Sequence, residues 1–188
     1  MDNIQTVLNK SSQDKFLLTF SLPNALKRIQ STSRTNLTLD IDTMQFSIYG
    51  TIVPKVEKPA VQIRYSGNTL HNSAHSINPF PPVSVKFTVD NRYNNYWVIY
   101  QWLNLLQDEK TGILDQRNLI QRDGFNDYQT EFIITALDEY NNKVVNFVYT
   151  KAFPVALGEL NFDYRTGNEI ECSFEFVFSQ LNINLIST

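Results

Sequence analysis

The stretch 83-VSVKFTVDNRYNNYWVIYQWLNLLQD-108 changes its apolar period once, and that change decides the fold. Val83, Val85, Phe87 and Val89 alternate with Ser84, Lys86 and Thr88, the period of two that turns one face of a strand inward. At Asp90-Asn91 the alternation stops on residue types that favour a helix start. Beyond it Tyr93, Tyr96, Trp97, Ile99, Tyr100, Leu103 and Leu106 recur at helical spacing to about Asp108, which predicts an amphipathic helix packed on a sheet through that stripe, with Trp97 beside it. Trp102 falls at the margin of the stripe and is a candidate contact with a neighbouring subunit.

On either side of this unit the pattern is extended. Phe16 to Leu22 reads as a largely buried strand stopped by Pro23, followed by a weak helical candidate over Asn24–Gln30 and a polar loop over Ser31–Asn36. Leu37, Leu39 and Ile41 alternate with polar residues, and Phe46, Ile48 and Thr51-Ile52-Val53 continue in extended character to Pro54. Val61, Ile63 and Tyr65 alternate up to a Gly67-Asn68 turn, and Leu70 to Pro82, with Asn78-Pro79-Phe80-Pro81-Pro82, reads as a stiff exposed loop. Lys110 to Gln129 shows no period and reads as a long loop.

The C-terminal third returns to strands. Glu131–Leu137 and Lys143–Ala152 flank a turn at Asn141-Asn142. A last hairpin is predicted with arms Glu159–Tyr164 and Glu169 to about Leu181, a turn at Arg165-Thr166-Gly167-Asn168, and Cys172, Phe174, Phe176 and Phe178 on one face. Without a βαβ rhythm, the expected class is mainly β: an antiparallel barrel or sandwich with one helix packed outside it or across an open end.

Composition narrows the function classes. At 188 residues the chain suits one domain spanning 1–188, and thirteen Phe with nine Tyr suit half-buried pleated surfaces. Sixteen basic against nineteen acidic residues, a net charge of −3, give no global attraction to phosphates. No apolar run approaches the ~20 residues of a membrane span and Met1-Asp2-Asn3-Ile4-Gln5 lacks a leader pattern, so synthesis and assembly in a cytoplasm are expected. The single cysteine, Cys172, excludes an intramolecular disulfide and reads as a buried thiol.

Nothing in the sequence assembles an active site. His71 and His75 have the spacing of a metal-binding helix, but Asn and Pro around them oppose a helix and no Glu or Cys completes a ligand set, so they read as loop histidines. Asp40/Asp42 and Glu169/Glu171 fall two apart on polar strand faces, and Asp108/Glu109 and Asp138/Glu139 fall at element ends, where solvated carboxylates are ordinary. The six glycines form no phosphate loop, and no nucleophile elbow accompanies a histidine. No enzymatic activity and no cofactor are expected.

Two segments resemble the tail tube proteins of contractile-tailed phages. One is Ala152-Phe153-Pro154-Val155-Ala156-Leu157-Gly158-Glu159-Leu160-Asn161-Phe162-Asp163-Tyr164, with Asn168-Glu169-Ile170-Glu171 and the alternating Phe174-Glu175-Phe176-Val177-Phe178 after it. The other runs from Val83 to Asn91 and on through Tyr93-Asn94-Asn95-Tyr96 to Ile99-Tyr100-Gln101-Trp102-Leu103. In the first, Phe153, Pro154, Gly158 and Glu159 read as a strand-to-strand corner: Pro154 ends a strand and Gly158 permits an unusual angle or a close approach.

The resemblance implies a tail tube type of barrel whose copies form hexameric rings, stacked inside a sheath and joined to baseplate or neck proteins in the virion, with DNA passing through without specific binding. Tube initiator, tail-end cap, secretion-system tube and soluble ligand-binding β module are the alternatives. Candidate lumen residues are Asn161, Asp163, Glu171 and Glu175, and candidate contacts between subunits are Trp102, His71 and His75. Loops over Gly67–Pro82 and Lys110–Gln129 are the expected contacts between rings.

Overall fold

The computed structural model describes residues 11–27, 47–76, 78–106, 121–122, 125–126, 128–165 and 167–186. Its strands are β1 (Phe16–Phe20), β2 (Ile48–Thr51), β3 (Ala60–Tyr65), β4 (Asn68–Ser73), β5 (Val83–Thr88), β6 (Gln121–Arg122), β7 (Phe125–Asn126), β8 (Thr130–Leu137), β9 (Lys143–Leu157), β10 (Glu171–Val177) and β11 (Gln180–Leu185). The helix α1 (Asn94–Leu106) separates β5 from β6, and one further helical turn covers residues 24–27. Expectations for residues 31–45 and 110–120 lie outside the described residues.

All pairings among the described strands are antiparallel. The main sheet runs β1-β8-β9-β10-β5-β2, and β11 pairs with β9. Among the described residues the path stays open, so the class is mainly β with no closed barrel there. Its pivot is β9, whose first half pairs with β8 and β11 and whose second half pairs with β10. Between them Thr150 and Lys151 face a single β8 residue, since Tyr149 pairs with Phe132 and Ala152 with Thr130. Lys151 takes a φ of 53°, and such a bulge bends the strand from one layer into the next.

That geometry corrects the expected corner and hairpin. The strand turns at Lys151 rather than at Pro154, which lies inside β9 opposite Phe176. A second register shift between Glu175 and Phe176 leaves Val155 without a directly opposed residue, and an irregular ladder of this kind accommodates a proline. Leu160 to Tyr164 form no strand; the arms of the last pair are the end of β9 and β10, joined by a loop over residues 158–170. The strand expected to continue to Leu181 breaks at Phe178 and Ser179, and β11 returns along the first half of β9.

Between the two layers lies an aromatic core. Phe132 stacks on Phe20 (4.8 Å between ring centroids), on Phe176 (4.4 Å) and on Trp102 (6.0 Å). Each such side chain contributes about 1.5–3 kcal/mol by leaving water, and each well-placed ring pair about 0.5–1.5 kcal/mol more. The face that α1 buries is Asn95, Val98, Ile99, Trp102 and Leu105; it shares Ile99 with the expected stripe but is rotated so that Tyr96, Tyr100 and Leu103 are only half-buried. Two contacts set this phase. Trp102 is 0% exposed and its Nε1 donates to the Tyr128 carbonyl at 2.7 Å, so it is a core residue and not a contact between subunits.

Asn95 supplies the other contact. Its Oδ1 accepts from the Asp90 and Tyr96 amides, while its Nδ2 donates to the Thr88 carbonyl and to Ser47 Oγ. Asp90 Oδ1 accepts in turn from the amides of Arg92 and Asn94, capping the helix start. Strand end and helix start are thereby welded by side chains that an apolar-period reading ignores. The β8-β9 turn centres on Glu139-Tyr140, just before the expected Asn141-Asn142: the Asn141 amide donates to the Asp138 carbonyl, and Asn141 closes the turn at a φ of 64°. Asp138 Oδ1 accepts there from the amides of Tyr140 and Asn142, and the side-chain bond from Asn142 heads the causes that hold the Asp138 carboxyl below its ordinary value.

Candidate functional site

Among the described residues no three His, Cys, Asp or Glu side chains gather as a metal site, and no helix is long and apolar enough to cross a membrane. Burial is the main cause that pushes the Cys172 thiol above its ordinary value, which suits an inert core position. What the molecule presents instead is surface, of three kinds.

The first is the outward face of the β9-β10-β5-β2 layer. Cys172, Phe174 and Phe176 point into the core, so Glu171, Ser173 and Glu175 point out, beside Thr88, Lys86 and Ser84. Glu171 Oε2 accepts from the Tyr49 hydroxyl at 2.8 Å. The Tyr49 phenol is pushed up from its ordinary value by desolvation first and by that carboxylate second. Asn161 and Asp163 are exposed but sit in the 158–170 loop, so the four lumen candidates divide between a sheet face and a loop. The loop leaves β9 through Gly158, whose amide donates to the Ser173 carbonyl at 2.6 Å; a Cβ on Gly158 would meet that oxygen at 2.8 Å. The close approach expected of Gly158 is present. Glu159, next in the chain, is exposed.

The second surface is the β3-β4 hairpin. The turn expected at Gly67-Asn68 lies one residue earlier, at Ser66-Gly67, both with positive φ, and the second strand lies where a loop was expected: Asn68–Ser73 pairs with Ala60–Tyr65 throughout. The signal was Leu70, directly opposite Ile63. Every residue of both strands is exposed. Val61, Ile63, Tyr65 and Leu70 line one side of the hairpin, while Gln62, Arg64 and His71 line the other. His71 and His75 are exposed, and the His75 amide donates to Ser73 Oγ. The third surface is the open edge: among the described residues β1 and β2 each have only one strand neighbour, as does β11.

Unpaired edges and an exposed two-faced hairpin are suited to binding other chains. No curated protein sequence matches the chain. Among solved structures, the fold is similar to a chain of the extended sheath-tube complex of the PVC extracellular contractile injection system, at 10% identity and a TM-score of 0.62, covering 96% of this chain and 95% of that one. It is equally similar to the tube terminating cap of the anti-feeding prophage, at 13% identity and a TM-score of 0.62, with coverages of 98% and 97%. A chain of the anti-feeding prophage baseplate follows at 15% identity and a TM-score of 0.56, with coverages of 93% and 95%. At the level of sequence, the family model described as phage tail tube protein matches residues 11–184, and the chain therefore belongs to the phage tail tube protein family.

Proposed function

We propose that the chain is the repeating subunit of a tail tube: copies close into hexameric rings through their free sheet edges, the rings stack, and DNA passes along the lumen without specific binding. The observation that carries this reading is the open sheet path, ending at β1 and β2, in a chain of the tail tube family. Exposed strand edges invite pairing, and a head-to-tail pairing that closes on itself satisfies every edge by symmetry. Sheath around the tube and baseplate or neck proteins at its ends are the partners, in the tail of the virion.

The lumen in this reading takes Glu171 and Glu175 from the outward sheet face and Asn161 and Asp163 from the adjoining loop. Duplex DNA carries one negative charge per ~1.7 Å, so a carboxylate-bearing wall repels phosphates and lets the duplex slide where a basic wall would hold it. With Glu171→Lys and Glu175→Lys introduced together, rings should still form while DNA passage fails. Unchanged infectivity of a phage carrying that tube would remove these residues from the lumen.

The similarity to a terminating cap favours a second reading, in which the chain forms one ring and stops. Native mass spectrometry and negative-stain imaging of the purified chain separate the two. Long hollow tubes support the repeating subunit, isolated rings support the cap, and a monodisperse monomer contradicts both.

A further inference from the structure

The edge strand β2 can lie on β5 in two registers, and the observed one carries a cost. Its start is fixed: the Thr88 amide donates to the Ser47 carbonyl at 2.9 Å, and Asn95 Nδ2 donates to Ser47 Oγ. Ile48 then sits opposite Phe87, but Gly50 sits opposite Lys86 and Thr51 opposite Val85, so Tyr49 is the extra residue of a bulge. Val85 and Phe87 point into the core and Lys86 points out. The bulge therefore turns Thr51 inward, where its Oγ1 is sealed from solvent and has no hydrogen-bond partner among the described residues. Ile52, just past the last pair, is left 55% exposed.

Without the bulge every side chain beyond Tyr49 changes face. Tyr49 then falls opposite Lys86, Gly50 opposite Val85, Thr51 opposite Ser84 and Ile52 opposite Val83. In that ladder the Thr51 hydroxyl meets water and Ile52 turns to the core, so both penalties go. Gly50 has no side chain to bury or expose and passes to either face. Two features hold the bulged form against this gain. Thr51 fills a core-side place that Gly50 leaves empty. Tyr49, from its place between Ile48 and Gly50, reaches across β5 and donates its hydroxyl to Glu171 Oε2 at 2.8 Å, in the row of Thr88. In the regular ladder Tyr49 moves to the row of Lys86, away from that carboxylate.

We propose that β2 is a register latch for assembly: bulged in the free copy, and drawn into the regular ladder when a strand of a neighbouring copy pairs with it. This inference rests on the tube reading and says how one of the ring-forming edges is kept closed until it is used. A bulge blunts an edge strand, whereas a regular ladder from Ile48 to Ile52 offers a longer, straight row of amides and carbonyls. The hydrogen bonds made on ring closure straighten the strand, and the free copy is guarded from indiscriminate pairing.

Thr51→Cys and Ile52→Cys, each in an otherwise wild-type chain, read the register through their reaction with a maleimide. In the free chain, held by dilution, the thiol at 51 should be protected and the thiol at 52 reactive; in assembled rings the order should reverse. Cys172 is buried and does not compete. Two further variants move the balance in opposite directions. Tyr49→Phe removes the bond to Glu171 from the bulged form alone, and should lower the concentration at which rings appear by about two- to tenfold, the weight of one hydrogen bond. Thr51→Val keeps the shape, removes the unpaired hydroxyl from the bulged form and should raise that concentration. Rings in which position 51 stays protected and 52 reactive, or a threshold that both variants leave unchanged, would overturn the latch while leaving the ring intact. A wild-type chain that forms no rings at any concentration would instead overturn the tube reading, and the latch with it.

Discussion

Tyr149 is the largest polar side chain sealed in the core: it is 0% exposed, and its hydroxyl has no hydrogen-bond partner among the described residues. Burial drives its phenol far above the ordinary value, so it is neutral at any working pH. A buried hydroxyl without a partner costs about 1–3 kcal/mol, whereas the ring packs edge-on against Phe176 at 5.4 Å and Phe178 at 4.8 Å. Tyr149→Phe keeps the ring and removes the cost, and should raise stability by about 1 kcal/mol, read as a higher urea midpoint. Gly158→Ala works in the opposite sense. The added methyl meets the Ser173 carbonyl backbone, which has no flexible end to move aside, and should lower stability by about 1–3 kcal/mol. Both residues were visible in the sequence, and only one was legible: a glycine before an aromatic run signals a close approach, but no pattern in 143–152 says that a tyrosine hydroxyl goes unpaired.

Among the elements, α1 and β5 were legible because their periods are strong, and the phase of the helix was not. The expected Tyr96, Ile99, Tyr100, Leu103 and Leu106 form as good an apolar stripe as the observed Val98, Ile99, Trp102 and Leu105, yet of the expected set only Ile99 is buried while Tyr96, Tyr100, Leu103 and Leu106 are partly buried. The choice between the stripes is made by Asn95, a polar residue that braces two backbone segments, and by the Trp102 indole, which needs the Tyr128 carbonyl. Trp102→Ala should therefore cost about 3–5 kcal/mol of monomer stability in urea unfolding, whereas a surface contact would leave that unfolding unchanged. The kinked β9 was missed for a related reason. Pro154 and Gly158 are the punctuation a reader expects at strand ends, and the bend instead occurs at Lys151, a residue type with no turn signature. Periodicity reports which face is dry; it does not report where a strand changes layers.

At the scale of the molecule, the surfaces that matter for assembly are the ones local patterns describe least. Alternating apolar residues in 61–65 read as a half-buried strand, yet all of them are exposed, because the layer they would pack on is not supplied by the described chain. The edges of β1, β2 and β11 likewise have no further strand neighbour among the described residues. In the proposed rings each neighbouring copy adds stability through these edges, so unfolding should depend on concentration. The most direct test of the central claim is single-particle imaging of the purified chain at concentrations that saturate assembly. Six-fold rings stacked into a hollow tube, with the β1 and β2 edges paired to neighbouring copies, are the predicted result. A particle that stays monomeric, with both edges open to solvent, would contradict it.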